Sequence, residues 1–227
     1  MTNPQKPKVG ILGLTLEFYE GNPKIREGRD TWVRQAVVPA LAGEVRPVYH
    51  GAVCRRAEIE AEVRRLERDG AEVLLVILLT YSTSLSSLQA LLGTRLPIVV
   101  WNTQELYGVD EHYGVQELID NHGVHGSFDL ANVLVRSGVR FWYQTSHLSD
   151  VGAMADLGAT LRAAAGVTAF RNLRLGVLGF PFPGMGDFGL DTTHLNATLG
   201  CAVEALPMGE FHGRVAQAPK SAVAGLV

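Results

Sequence analysis

Short, nearly uninterrupted apolar runs alternate along this chain with longer segments whose apolar residues recur every three or four positions. The runs lie at Val9–Leu14, Glu44–Tyr49, Glu72–Leu79, Pro97–Trp101 and Arg140–Thr145, and each reads as a strand leading into a helix. The clearest helix covers Ala57–Asp69: Ile59, Val63 and Leu66 share one face, charged residues fill the other, and Gly70 closes it. The run "EVLLVILL" is apolar enough to predict a central strand buried on both sides. Strands and helices taking turns predict right-handed βαβ units. The expected fold class is therefore α/β, a Rossmann-like or flavodoxin-like parallel sheet with helices on both faces and functional groups at the carboxyl ends of the strands.

The pattern changes near Ala165–Asn172, where the helical stretch "MADLGATLRAAAG" ends, "RLGVLGF" restarts a strand and the Pro/Gly-rich "PFPGMGDFG" follows. Beyond it lie a helix from Thr192, a strand at Cys201–Leu206 and a last helical stretch after Pro219. A strand–helix–strand–helix unit cannot cover both faces of a sheet by itself. Residues 1–170 are thus expected to form an α/β domain that faces the substrate, and residues 171–227 the start of a second α/β domain completed elsewhere.

Composition narrows the partner. The chain is 47% hydrophobic and 19% charged, and its formal net charge of −3 offers no basic face, so nucleic acid is not expected. No apolar stretch is long enough to cross a bilayer, and "VGILGL" near the amino terminus is too short for a signal segment, so no membrane association is expected. Cys54 and Cys201 are far apart and in no metal-binding spacing, which points to a reducing, cytoplasmic setting. A small-molecule ligand is the expectation that remains.

Polar residues gather where the strands end. After the first strand, "GLTLEFYEGNP" places Glu17, Tyr19, Glu20 and Asn22 in one loop, unless Phe18 and Tyr19 merely cover the sheet edge. After the third, "TYSTSLSS" supplies hydroxyls from Thr80 to Ser84 that either hold a sugar or cap a helix. After the fourth, "WNTQELYG" groups Asn102, Thr103, Gln104 and Glu105; amides and carboxylates together suit a polyol, whose hydroxyls each want a donor and an acceptor.

The stretch "NHGVHGSFDLANVLVRSG" sets His122 and His125 three apart, each followed by glycine, in an expected loop before a helix at Phe128–Arg136 with Ser127 as its N-cap. Gly123 and Gly126 allow a tight turn or a close approach. Neutral imidazoles at the positive end of a helix either exchange hydrogen bonds with a substrate oxygen or satisfy the helix end. No third ligand follows at zinc-like spacing. Separately, "GMGDFG" at Gly184–Gly189 matches the G-x-G-x-x-G of dinucleotide-binding loops, although Pro181 and Pro183 stiffen the stretch ahead of its first glycine, where the fingerprint wants a turn directly off the strand.

Three segments in register carry a family resemblance: "GLTLEFYEG" at Gly13–Gly21, the histidine stretch at Asn121–Gly138, and "GFPFPGMGDFGLDTTHLNATLGCAVEALPMGEF" at Gly179–Phe211. Over nearly its whole length the chain resembles the N-terminal half of the L-arabinose/L-fucose isomerase superfamily, metal-dependent enzymes that interconvert aldoses and ketoses. The first loop lacks the glutamine expected there, which leaves the sugar unassigned. The resemblance implies a sugar-holding face built from His125, His122, Glu17, Tyr19, Asn102, Gln104 and Asp187, none of them a metal ligand. It also implies Mn2+ held by the family's C-terminal half, and a homo-oligomer, trimer or hexamer, with the site shared between subunits. By itself this chain would bind no metal and be inactive. A non-catalytic sugar-binding module and a nucleotide-binding domain are the alternatives.

Overall fold

The computed structural model describes residues 6–186, 189–219, 221 and 224. The chain divides into two compact units at Thr168/Ala169.

The first unit is a five-stranded parallel sheet with helices on both faces. Its strands are β1 (Lys8–Leu14), β2 (Arg46–Val48), β3 (Val73–Leu78), β4 (Ile98–Asn102) and β5 (Phe141–Thr145), in the order β2-β1-β3-β4-β5. This is the flavodoxin-like order, whose topological switch lies between β1 and β3. Every residue of β3 is buried, as its uninterrupted apolar run requires of a strand with neighbours on both sides. The second strand is shorter than its run: only three residues pair with β1, and Glu44 and Tyr49 fall outside it.

Helices α1 (Pro23–Trp32), α2 (Val38–Ala42) and α7 (Val151–Arg171) supply Trp32, Leu41, Leu157 and Leu161 to the core on one face. Helices α3 (Arg56–Arg68), α4 (Ser84–Gly93) and α6 (Gly123–Arg136) supply Ile59, Leu66, Leu91, Leu130 and Leu134 to the other. Between α1 and α2 the helix widens into a π-turn at Val33–Val37, where the Val38 N–H reaches back to the Val33 carbonyl. Pro39 supplies no N–H to the normal ladder, and the wider turn absorbs that loss. The helix expected at Ala57–Asp69 runs Arg56–Arg68 and ends, as expected, at Gly70, whose φ is +77°. Its charges are not all on the outer face: Glu62 is buried and meets His50 Nδ1 at 2.7 Å.

Helix α6 is the main departure from the sequence expectation. It starts at Gly123, so Ser127 is not its N-cap but lies inside it, donating to the Gly123 carbonyl at 3.0 Å. A short helix α5 (Val115–Asp120) leads directly into it.

The second unit contains a parallel pair, β6 (Arg174–Leu178) and β7 (Ala202–Leu206), with helices α8 (Thr192–Leu199) and α9 (Met208–Gln217). Asp191 caps α8, accepting from the His194 N–H at 2.8 Å, and Gly200 ends it at φ +78°. Helix α9 precedes Pro219, whereas helix was expected after it; two glycines in "MGEFHGRVAQ" masked the signal. The expected stretch after Pro219 falls largely outside the described residues.

Candidate functional site

The two glycines of the histidine stretch explain its spacing. A Cβ on Gly123 would stand 2.2 Å from the Leu78 carbonyl oxygen, and one on Gly126 would stand 2.4 Å from Leu78 Cδ2 and 3.1 Å from the Ser82 nitrogen. The amino end of α6 therefore lies directly on the end of β3, a closeness only glycine permits. His122, at the N-cap position, and His125, in the first turn, are thereby brought to the carboxyl end of the central strand.

The imidazole rings of His122 and His125 meet edge to face at 4.7 Å between centroids, and the Tyr81 ring lies 5.6 Å from His122. His122 is half-buried and His125 exposed, and among the described residues neither imidazole has a hydrogen-bond partner. The alternative reading, in which the pair satisfies the helix end, has no support in these contacts. Burial, and secondarily the charge of a protonated His125, lowers the His122 pKa below the ordinary imidazole value. A neutral imidazole offers one donor and one acceptor.

The hydroxyl run after β3 is divided between tasks. Thr80 Oγ1 accepts from the Leu16 N–H at 3.1 Å and donates to the Tyr81 carbonyl. Thr83 stands at the N-cap of α4, but its hydroxyl pairs with Ser86 at 2.7 Å, and the free Ser84 N–H is taken by Asp129 of α6 at 3.1 Å. Thr15 and Thr103, just past the ends of β1 and β4, keep buried hydroxyls without a partner among the described residues.

Other expected site residues lie elsewhere. Glu17 opens a 3-10 turn (Glu17–Gly21) and is paired with Arg55 at 3.0 Å, and Tyr19 in the same turn packs edge-on against Phe18 at 6.0 Å. Asn102 is buried, its amide donating to Thr145 Oγ1 at 3.2 Å, and Gln104 turns back to the Leu106 carbonyl at 2.7 Å. Among the described residues no hydrogen bond, ion pair or ring contact joins these four to the histidines. Asp187 lies outside the described residues.

Two groupings escaped the sequence reading. Buried Arg29 of α1 is paired with Glu105 at 2.6 Å and with Asp120 at 3.1 Å. Its only sequence signal is its place on the apolar stripe of α1 with Ile25 and Trp32. The β4–α5 loop also forms an open cleft of about 450 Å³ lined by Leu106, Tyr107, Asp110, His112, Tyr113 and Glu117 among others.

The chemistry on hand is hydrogen bonding and aromatic contact. Burial and the neighbouring Glu58 push the Cys54 thiol up to about 11, so it stays protonated near neutral pH and is no nucleophile. Among the described residues no three His, Cys, Asp or Glu side chains are grouped to hold one metal ion. The described residues therefore offer no ligand set to which a manganese ion can be fitted. Nor does α8 suit a dinucleotide: the helix end behind the glycine-rich loop is capped by the Asp191 carboxylate, which opposes a pyrophosphate. No helix is long and apolar enough to cross a membrane among the described residues. No protein-family model and no curated protein matches this chain.

Proposed function

We propose that this chain is the sugar-holding portion of a metal-dependent aldose–ketose isomerase of the L-fucose/L-arabinose type, working from the cytoplasm in a homo-oligomer. One observation carries the reading: two imidazoles without a hydrogen-bond partner among the described residues stand together with a tyrosine ring at the carboxyl end of β3. In sheets of this order, ligands bind outside the strand ends beside the β1/β3 switch. A sugar hydroxyl both donates and accepts, which matches a neutral imidazole, and the Tyr81 face suits the C–H side of a pyranose. The unpaired Thr15 and Thr103 hydroxyls at neighbouring strand ends support a polar ligand there as well.

In this reading His125, the more exposed ring, reaches the sugar hydroxyls and His122 supports it from the half-buried side. In enzymes of the resembled kind a bound metal would supply polarisation of the substrate oxygens; among the described residues of this chain no three His, Cys, Asp or Glu side chains are grouped to hold it. This chain's task is to orient the sugar. A sugar-binding module without catalysis is the second reading, since it needs only the imidazole pair and the Tyr81 ring.

The test is a titration of the purified chain with L-arabinose, L-fucose and, as control, NAD, followed through the side-chain NMR signals of His122, His125 and Tyr81. The aldoses should move these signals and saturate near about 1 mM, the range of a few neutral hydrogen bonds, while NAD should not. Signals that stay fixed with every aldose would refute the reading. Aldose turnover by this chain with added Mn2+ would refute the reading that it only orients the sugar.

A further inference from the structure

Arg29 lies on the inner side of α1, its side chain 5% exposed, with Ile25 and Trp32 buried on the same face. Its guanidinium faces two carboxylates from distant parts of the chain. Nη2 donates to Glu105 Oε2 at 2.6 Å, and Nη1 donates to the Asp120 carbonyl at 3.1 Å. Nε sits 3.1 Å from Asp120 Oδ1, within ion-pair reach but not aligned for a hydrogen bond. Asp120 is the last residue of α5, two positions ahead of His122. Asn121, between them and buried, accepts from the Leu106 N–H at 2.9 Å and donates to the Glu117 carbonyl at 2.7 Å. One guanidinium thus ties together α1, the loop after β4 and the residues that launch α6.

We propose that Arg29 is a positioning residue for the histidine pair: by clamping Asp120 and Glu105 it fixes the start of α6 and hence the edge-to-face geometry of His122 and His125. An arginine is needed because its planar fork reaches groups on two edges at once, which a single ammonium cannot do. Burying a charge is costly, and the use that best accounts for it is fixing one arrangement of the surrounding segments. The value of the clamp to a ligand rests on the sugar-holding reading above; its effect on the rings does not.

Two measurements on the whole chain separate these claims. In ligand-free protein, Arg29→Lys should shift the His122 and His125 imidazole NMR signals and weaken the ring-to-ring NOE. The control Ile59→Val lowers stability at a core position and should leave both unchanged, so a general loss of stability would not imitate the result. With aldose, Arg29→Lys should raise the dissociation constant about threefold to tenfold. If Arg29→Lys does not fold, judged by the amide signals of β3, Glu105→Gln takes the charge from one arm of the clamp at the half-exposed partner, weakening that arm, and should move the imidazole signals in the same direction by less. A folded Arg29→Lys chain, or in its place a folded Glu105→Gln chain, with wild-type imidazole signals and NOE overturns the proposal. If the wild type ignores every aldose while Arg29→Lys still displaces the rings, the sugar reading fails and the positioning role stands.

Discussion

His122 carries a pH dependence whose sign follows from its surroundings. Burial, then the nearby His125, lowers its pKa in the folded chain below the ordinary 6.5. As pH falls, the unfolded chain therefore takes up this proton before the folded chain does, and stability falls with it. Above 6.5 the contribution is fully present; below it the contribution is progressively lost. Chemical denaturation at about pH 7.5 and about pH 5.5 should show a smaller midpoint loss in His122→Gln than in the wild type, since the glutamine does not titrate. Equal losses would show that the ring is not held neutral. His125 is exposed and packs little. Replacing it with alanine should leave the unfolding midpoint nearly unchanged while weakening aldose binding by about 0.5–1.5 kcal/mol, the worth of one neutral hydrogen bond, and calorimetry on the pair of proteins checks both halves of the statement.

At the scale of elements, the contact between α6 and β3 holds the site, and its glycines can be tested against a glycine that does nothing comparable. Gly123→Ala must displace a backbone carbonyl 2.2 Å from the new Cβ. It should cost about 1–3 kcal/mol, as overpacking does. Gly28, exposed within α1, has no atom within 4 Å of the place a Cβ would take, so Gly28→Ala should stabilise by about 0.5–1 kcal/mol through helix propensity. Urea midpoints moving in opposite directions at constant slope would bear this out; a neutral Gly123→Ala would mean that α6 does not need to lie so close. A related test concerns Asp129, which caps α4 from a neighbouring helix. Asp129→Ala should cost about 0.5–2 kcal/mol.

These same elements show what could be read in advance. Strands β1, β3, β4 and β5 and helix α3 were legible because burial on one or two faces leaves a periodic signature in the residues themselves. The start of α6 was not, because Gly123 and Gly126 look like chain breakers when the reason for them is close contact with Leu78 and Ser82, more than forty residues earlier. His122 and His125 could be picked out from their spacing, but Tyr81 as their ring neighbour could not. The Arg29 cluster was invisible for the same cause: its partners Glu105 and Asp120 lie 76 and 91 positions away. Glu17, Asn102 and Gln104 were read as free polar groups because a sequence does not display the partners, Arg55, Thr145 and the Leu106 carbonyl, that occupy them.

At the scale of the whole molecule, the two units differ in how far their strands are covered. In the first, β3 has hydrogen-bonded neighbours on both sides and apolar cores on both faces, so its amides are released only by opening the entire sheet. In the second, β6 and β7 have only each other within their sheet among the described residues, and Leu175, Leu178 and Leu206 remain 41%, 44% and 43% exposed. A two-stranded sheet is marginal in water because little apolar area leaves solvent when it forms. The pairing of Arg174 with Glu204 at 2.6 Å does not offset this, since both side chains are largely solvated and such pairs contribute at most about 1 kcal/mol. Hydrogen exchange on dilute protein should therefore find the Arg174–Leu178 amides protected far less than those of Val73–Leu78, with the difference persisting at a pH where β3 exchanges only by global unfolding. Equal protection of the two strands in a monomer would contradict this account and would mean that the exposed leucines are covered in solution.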